Sequence, residues 1–189
     1  MAGRRAEDPT HLDDHLDAVL IGGRETVTIE IAEYDPGWPG RYEAERSRIA
    51  AALGEHALRI EHIGSTAVPG LAAKPIIDIF VGVRDADDED AYRAPLEALG
   101  LTLRVREPGH RMFRTPARDV HVHVWPAAGE TIDHYLALRD RLRSHTADRE
   151  LYARTKRELA ARAWPDMNYY ADAKGRVIEA IMERARADR

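Results

Sequence analysis

Residues 60–79 hold a glycine, two hydroxyl side chains, a lysine and one carboxylate in an order that suits phosphate chemistry. Ile60-Glu61-His62-Ile63 leads into Gly64-Ser65-Thr66, a loop with a second glycine and Lys74 follows, and Pro75-Ile76-Ile77-Asp78-Ile79 places one acid inside an apolar run. Gly64 lets backbone approach a phosphate closely, Ser65 and Thr66 offer donors, Lys74 adds positive charge, and Asp78 is placed to hold a divalent cation or act in catalysis. A carboxylate centred in an apolar strand is costly unless it is paired or bound to a cation. The structural alternative for Asp78 is a buried pair with Lys74 or Arg139. His62, just before the turn, is a second catalytic candidate: a general base, a phosphate donor or only a strand-end hydrogen bonder.

A second constellation lies at Val120-His121-Val122-His123-Val124-Trp125. On a strand, side chains alternate, so the valines face one side of a sheet and His121 and His123 the other. If that face also bears Asp78, one carboxylate and two imidazoles form a metal site better suited to Zn2+, Mn2+, Ni2+ or Fe2+ than to Mg2+. The alternative is a polar sheet face with ordinary hydrogen bonds. Arg139 and Arg143 share one face of a helix, and Lys156 and Lys174 follow on later helices. In so charged a chain, Arg143 and Lys156 read as surface residues.

Five blocks in order make the chain similar to the GrpB family: Tyr34-Asp35-Pro36-Gly37-Trp38-Pro39, Ile60 to Val83, His121 to Val124, Leu138-Arg139-Asp140 with Leu142-Arg143, and Tyr170 with Lys174. The resemblance runs from about Thr26 to about Ala187. It implies a nucleotidyltransferase-like domain of the polymerase-β superfamily, found alone or fused to dephospho-coenzyme A kinase, and it raises Arg139 and Lys174 to substrate or phosphate contacts. The expected fold is α/β (α+β): a mixed sheet with helices packed over it and a helical C-terminal part. One departure matters. Polymerase-type transferases place a second carboxylate two residues after the first so that two Mg2+ ions share the pair; this chain has Phe80 there.

The elements that must position these residues follow from pattern. Residues 11–21 have helical spacing closed by Gly22-Gly23, and 1–25 read as an extension before a single domain over 26–189. Thr26 to Ile31 alternates like a strand; Asp35-Pro36 opens a helix to about Leu53. Strands are expected at 58–63, 75–83, 101–105, 111–115 and 120–125, and a helix at 87–99. Helices follow at 131–145, 146–163 and 168–186, with a break near Trp164-Pro165, and they would form one wall of the cleft.

The 189-residue chain has a net charge of -5 and no cysteine. Such a length suits one domain, the charge argues against general nucleic-acid binding, and any metal must be held by Asp, Glu, His or water. The N-terminal residues Arg4, Arg5, Glu7 and Asp8 form no signal-like apolar segment, so a cytoplasmic protein without membrane contact is expected. Composition leaves its oligomeric state unknown. The first functional expectation is a transferase that binds a nucleotide or another small anionic substrate, with a divalent metal, a transition ion over Mg2+. The alternatives are a ligand-binding or regulatory module without turnover, and a fold repurposed for metal-dependent condensation or hydrolysis of a non-nucleotide substrate.

Overall fold

The computed structural model describes residues 9–26 and 28–188, with side chains from residue 12 onward. The basic and acidic residues at 4–8 lie outside the described residues, as does Val27. Five strands form one mixed sheet: β1 (Arg59–Ile63), β2 (Ile77–Val83), β3 (Thr102–Glu107), β4 (His110–Arg114) and β5 (Val120–Pro126), in the order β1-β2-β5-β4-β3. β2 and β5 run parallel, and every other neighbouring pair is antiparallel. Around the sheet lie α1 (Pro9–Val19), α2 (Trp38–Leu53), α3 (Arg93–Ala98), α4 (Glu130–Ser144), α5 (Thr146–Ala160), α6 (Met167–Ala173) and α7 (Gly175–Ala187). The mixed α/β architecture and its helical C-terminal part are those expected. No helix among the described residues is long and apolar enough to cross a membrane.

Alternation divides the sheet into two faces. Ile77, Ile79 and Val81 of β2 and Val120, Val122 and Val124 of β5 are buried together with Trp38, Ile49 and Leu53 of α2 and Leu96 of α3. The other face carries Asp78, Phe80, His121, His123 and Trp125. Register brings its polar residues together, since Asp78 pairs with His121 and Phe80 with His123. α4 covers the apolar part of this face, where Ile63, Phe80, Trp125, Ile132 and Leu136 pack.

Four elements depart from the expectation. Thr26 to Ile31 forms no strand among the described residues; Ile29 is buried against Leu159 and Tyr170, and the following Ala32 makes an isolated bridge to Ala73 in the loop ahead of β2. The alternation is thus real as burial, but the segment has no ladder partner. α2 starts at Trp38 because the Asp35 carboxylate accepts from the Gly37 amide at 2.7 Å, making a local turn ahead of the helix. The helix expected over 87–99 shrinks to α3, preceded by a 3-10 turn at Glu89–Ala91. Pro95 cannot donate to residue 91, and Tyr92, fully buried, sits at φ -145° between the two pieces. Finally, 168–186 divides at Lys174, where a tight turn and Gly175 interrupt the run.

α1 is less detached than its position suggests. Leu16 and Leu20 are buried, Leu20 bridges to Val105 of β3, and the Arg104 guanidinium donates to the carbonyls of Ile21 and Gly23.

Candidate active site

β1 ends at Ile63, and Gly64 turns the chain at φ 72°, a conformation that favours glycine. A second constraint fixes this residue. A Cβ at Gly64 would overlap the Asp78 Oδ2 atom and lie 3.0 Å from the Asp78 Cβ. The Gly-Ser turn and the lone carboxylate are therefore packed directly against one another.

Asp78 faces two imidazoles. Its Oδ1 lies 3.5 Å from His121 Nδ1 and 3.7 Å from His123 Nε2. One ligand atom from each of the three residues falls within 4.8 Å of the others, near enough for small rotations to let one ion reach all three. Burial acts to raise the Asp78 pKa, but the two histidines together outweigh it and hold the carboxyl well below the usual carboxylate range. His121 is 5% exposed, and its Nε2 has no hydrogen-bond partner among the described residues. A buried nitrogen left unpaired costs about 1–3 kcal/mol.

Three lysines line the same cleft of about 380 Å³. The Lys74 and Lys174 ammoniums sit 5.3 and 5.1 Å from the centre of the Tyr170 ring, and that of Lys156 lies 4.9 Å from the Tyr152 ring. Lys156 is 2% exposed and donates to the Ala72 carbonyl. No carboxylate pairs with any of the three among the described residues. Burial, reinforced by Lys174, lowers the Lys74 pKa to about 8 despite Asp78 and Asp166; burial, with Lys174, Arg157 and Lys74 nearby, takes Lys156 to about 7. Burial also lowers that of Lys174, opposed by Asp78. The hydroxyl of Tyr170, buried at the centre of this group, has no hydrogen-bond partner among the described residues.

The structure brings Asp78, Gly64, Ser65, Thr66, Lys74, His121, His123, Arg139 and Lys174 to this cleft, though several are already engaged. The Thr66 hydroxyl donates to the Ile76 carbonyl at 2.9 Å and lies 3.1 Å from His62 Nε2, which commits it to holding the loop. Ser65 contacts Tyr152 through its hydroxyl. Arg139 binds Glu61, Asp140 and the His62 carbonyl, fastening α4 to β1, and its charge is largely spent there. Arg143 donates to the Ala67 carbonyl, a brace for the same loop.

His62 is not in the cleft. Antiparallel register pairs it with Ile79 and pairs Ile63 with Asp78, so the two candidates for catalysis point to opposite faces of the sheet. His62 stacks on Tyr42 of α2, with ring centroids 4.5 Å apart, and burial pushes its pKa down to about 4 against the pull of Asp78. It is a core residue that clamps the Gly-Ser loop through Thr66. Lys156 is the reverse case, a residue taken for surface that lies at the centre. Its neighbours in sequence, Arg157 and Glu158, are exposed, and only the packing of α5 over the sheet distinguishes it. Phe80, two residues after Asp78 on the same face, is fully buried and carries no charge, and Glu61 on that face gives its own carboxylate to Arg59 and Arg139.

Comparison with known proteins gives the chain relatives over nearly its whole length. A sequence profile described as GrpB protein matches residues 28–184. The chain is 50% identical over 188 residues to a UPF0157 protein of Streptomyces coelicolor, covering 100% of this chain and 97% of that protein. It is similar to the crystal structure of conserved protein GrpB from Enterococcus faecalis, with a TM-score of 0.73 and 33% identity over 82% of this chain and 96% of that one. A more distant relative is a dephospho-CoA kinase of Mycolicibacterium paratuberculosis, 28% identical over 77% of this chain and 43% of the kinase.

Proposed function

The chain belongs to the GrpB family, and we propose that its cleft is the active site of a nucleotidyltransferase-like enzyme acting on a small phosphorylated anion beside one transition metal. The observation that carries this reading is the meeting of two groups in one cleft: among the described residues, three lysines have no carboxylate within ion-pair distance, and the Asp78-His121-His123 set has no lysine or arginine within it. Lys74, Lys156 and Lys174 neutralise the anion, Tyr170 offers it a hydroxyl, and Ser65 lies at the turn beside Asp78. Asp78, His121 and His123 hold the metal, which when bound supplies a Lewis acid for a phosphoryl or carbonyl oxygen. The donor set fits a transition ion, because two imidazoles and one carboxylate are softer than the oxygen shell Mg2+ requires. Nucleotidyl or phosphoryl transfer needs mostly positioning and charge stabilisation, which this cleft offers without a covalent nucleophile. The partial match to a dephospho-CoA kinase supports a nucleotide-bearing substrate.

Phe80 favours a second reading. With an aromatic ring where a two-metal transferase keeps its other carboxylate, the pocket also suits a one-metal condensation or hydrolysis of a non-nucleotide anion, or binding without turnover. Calorimetry of metal-stripped protein with Zn2+, Mn2+ and Mg2+, then with nucleoside triphosphates in the presence of the ion that binds, tests these readings. Nucleotide binding that depends on Zn2+ or Mn2+, with slow release of phosphate or pyrophosphate as water takes the acceptor's place on the transferred group, is the expected result. Metal binding without nucleotide binding would move the assignment to the non-nucleotide reading. Failure of both ions to bind would overturn the metal assignment itself.

A further inference from the structure

The β3–β4 hairpin closes on Glu107-Pro108-Gly109-His110, with Gly109 at φ 71° and Glu107 paired with His110 across the turn. These two residues reach the cleft through His123. His110 Nδ1 lies 2.6 Å from Glu107 Oε1, and His110 Nε2 lies 3.1 Å from His123 Nδ1. The other nitrogen of His123 faces Asp78. On the far side, the second oxygen of Glu107 lies 3.4 Å from His15 Nε2 of α1. The rings are held as well as bonded: His110 and His123 are parallel within 9°, and both stack on Trp125, at 4.5 and 5.0 Å.

Hydrogen-bond polarity then runs in one direction. A carboxylate only accepts, so the His110 nitrogen beside Glu107 carries the proton. Carrying one proton, His110 presents its Nε2 as an acceptor, and His123 must donate from Nδ1. That leaves His123 Nε2 without a proton on the Asp78 side, where Oδ1 at 3.7 Å is beyond hydrogen-bond reach and so does not claim the proton as Glu107 does at 2.6 Å. The opposite assignment would set His110 Nδ1 and the Glu107 carboxylate lone pair to lone pair at 2.6 Å. An imidazole's free nitrogen is set by the bond its other nitrogen makes.

We infer that Glu107 and His110 are positioning residues which lock His123 in the Nδ1–H tautomer and aim its Nε2 lone pair into the cleft. The inference deepens the one-metal reading of the site and rests on it for its purpose, but the tautomer itself is a property of the metal-free chain. α1 takes part, since His15 steadies the oxygen of Glu107 that His110 does not use.

The test is a long-range proton–nitrogen NMR correlation of 15N-histidine-labelled, metal-free protein at about pH 8, with Zn2+ affinity measured in parallel. His123 of the parent is expected to show a protonated Nδ1 and a bare Nε2. His110→Phe keeps a ring stacked on Trp125 and removes both nitrogens, so His123 should lose that signature and Zn2+ should bind about 10- to 100-fold more weakly. Glu107→Met, at a half-exposed position, should mix the two tautomers and weaken Zn2+ binding in the same direction should the phenylalanine variant not fold. A protonated Nε2 on His123 in the parent, or unchanged spectra and affinity in both variants, would overturn the inference. If the parent takes up no metal, the one-metal reading falls while the nitrogen spectrum still decides the tautomer lock.

Discussion

The two faces of the sheet bury polar groups in opposite ways. On the α2–α3 face every buried polar side chain is answered by protein: His62 by Thr66 and Tyr42, Arg111 by Glu89 and Asp87, Tyr92 by the Ala86 carbonyl. On the cleft face the answers are incomplete. The two buried side-chain atoms without hydrogen-bond partners among the described residues, His121 Nε2 and Tyr170 Oη, both belong to residues that line it. Lys74 and Lys174 likewise have no carboxylate within ion-pair distance among the described residues. A fold gains nothing from unpaired buried polar groups, so the face that leaves them unpaired is the one expected to meet a ligand.

The comparison is broken most severely at Asp78. Asp78→Asn keeps volume and removes the charge, so metal binding should be lost while the metal-free protein stays folded. A loss of about 3–5 kcal/mol in metal-free melting would instead mark Asp78 as half of a buried ion pair, and the cleft face would then be as saturated as the other.

On the opposite face, His62 should behave as a buried neutral side chain. Its folded pKa of about 4 is below its unfolded value of about 6.5, so the unfolded chain binds the proton more readily. Stability from this group is therefore complete above about pH 6.5 and is lost as pH falls toward 4, by on the order of 3 kcal/mol. Denaturant unfolding of the parent and His62→Gln across that range isolates it. Parallel curves for the two proteins would show that His62 titrates freely.

Gly64 and Gly70 offer a finer comparison within one loop. Both have positive φ, 72° and 77°, so alanine at either costs about 1–2 kcal/mol of strain. Only Gly64 has a neighbour to displace, since a Cβ at Gly70 would meet nothing within 4 Å. Gly64→Ala should therefore be the less stable of the two and should also weaken metal binding by moving Asp78. Gly70→Ala should leave metal affinity as it is.

Alternation alone placed the valines of β5 in the core and its histidines together, because period two needs no partner strand. His62 needed more. Whether it or Ile63 shares a face with Asp78 depends on the β1–β2 register, set by a thirteen-residue loop whose geometry no local pattern reports. Lys156 was hidden for a related reason: helical phase says which residues share a side of α5, not which side the sheet will cover. His110 was not among the candidates, because its meeting with His123 depends on β4–β5 packing. Thr26 to Ile31 shows the limit from the other direction, since an alternating pattern marks a buried side and does not guarantee a ladder.

The smallest effect on stability, and the sharpest on binding, is expected at Lys156. Its ammonium is almost completely buried with a carbonyl and a ring as partners, and the desolvation that lowers its pKa to about 7 opposes folding with the charge on. Lys156→Met keeps the length of the side chain and removes that charge, so the metal-free protein should melt at the same temperature as the parent or higher. Affinity for inorganic pyrophosphate should fall about tenfold, the loss of roughly one charge-assisted contact. In the parent, the same affinity should decline as pH rises through 7 to 8, where Lys156 and Lys74 lose their protons, and the Met variant should show a shallower decline. Calorimetric titration at several pH values measures both. A variant that is destabilised yet binds pyrophosphate as the parent does would make Lys156 a packing residue, and the cleft face would lose the feature that most distinguishes it from the other.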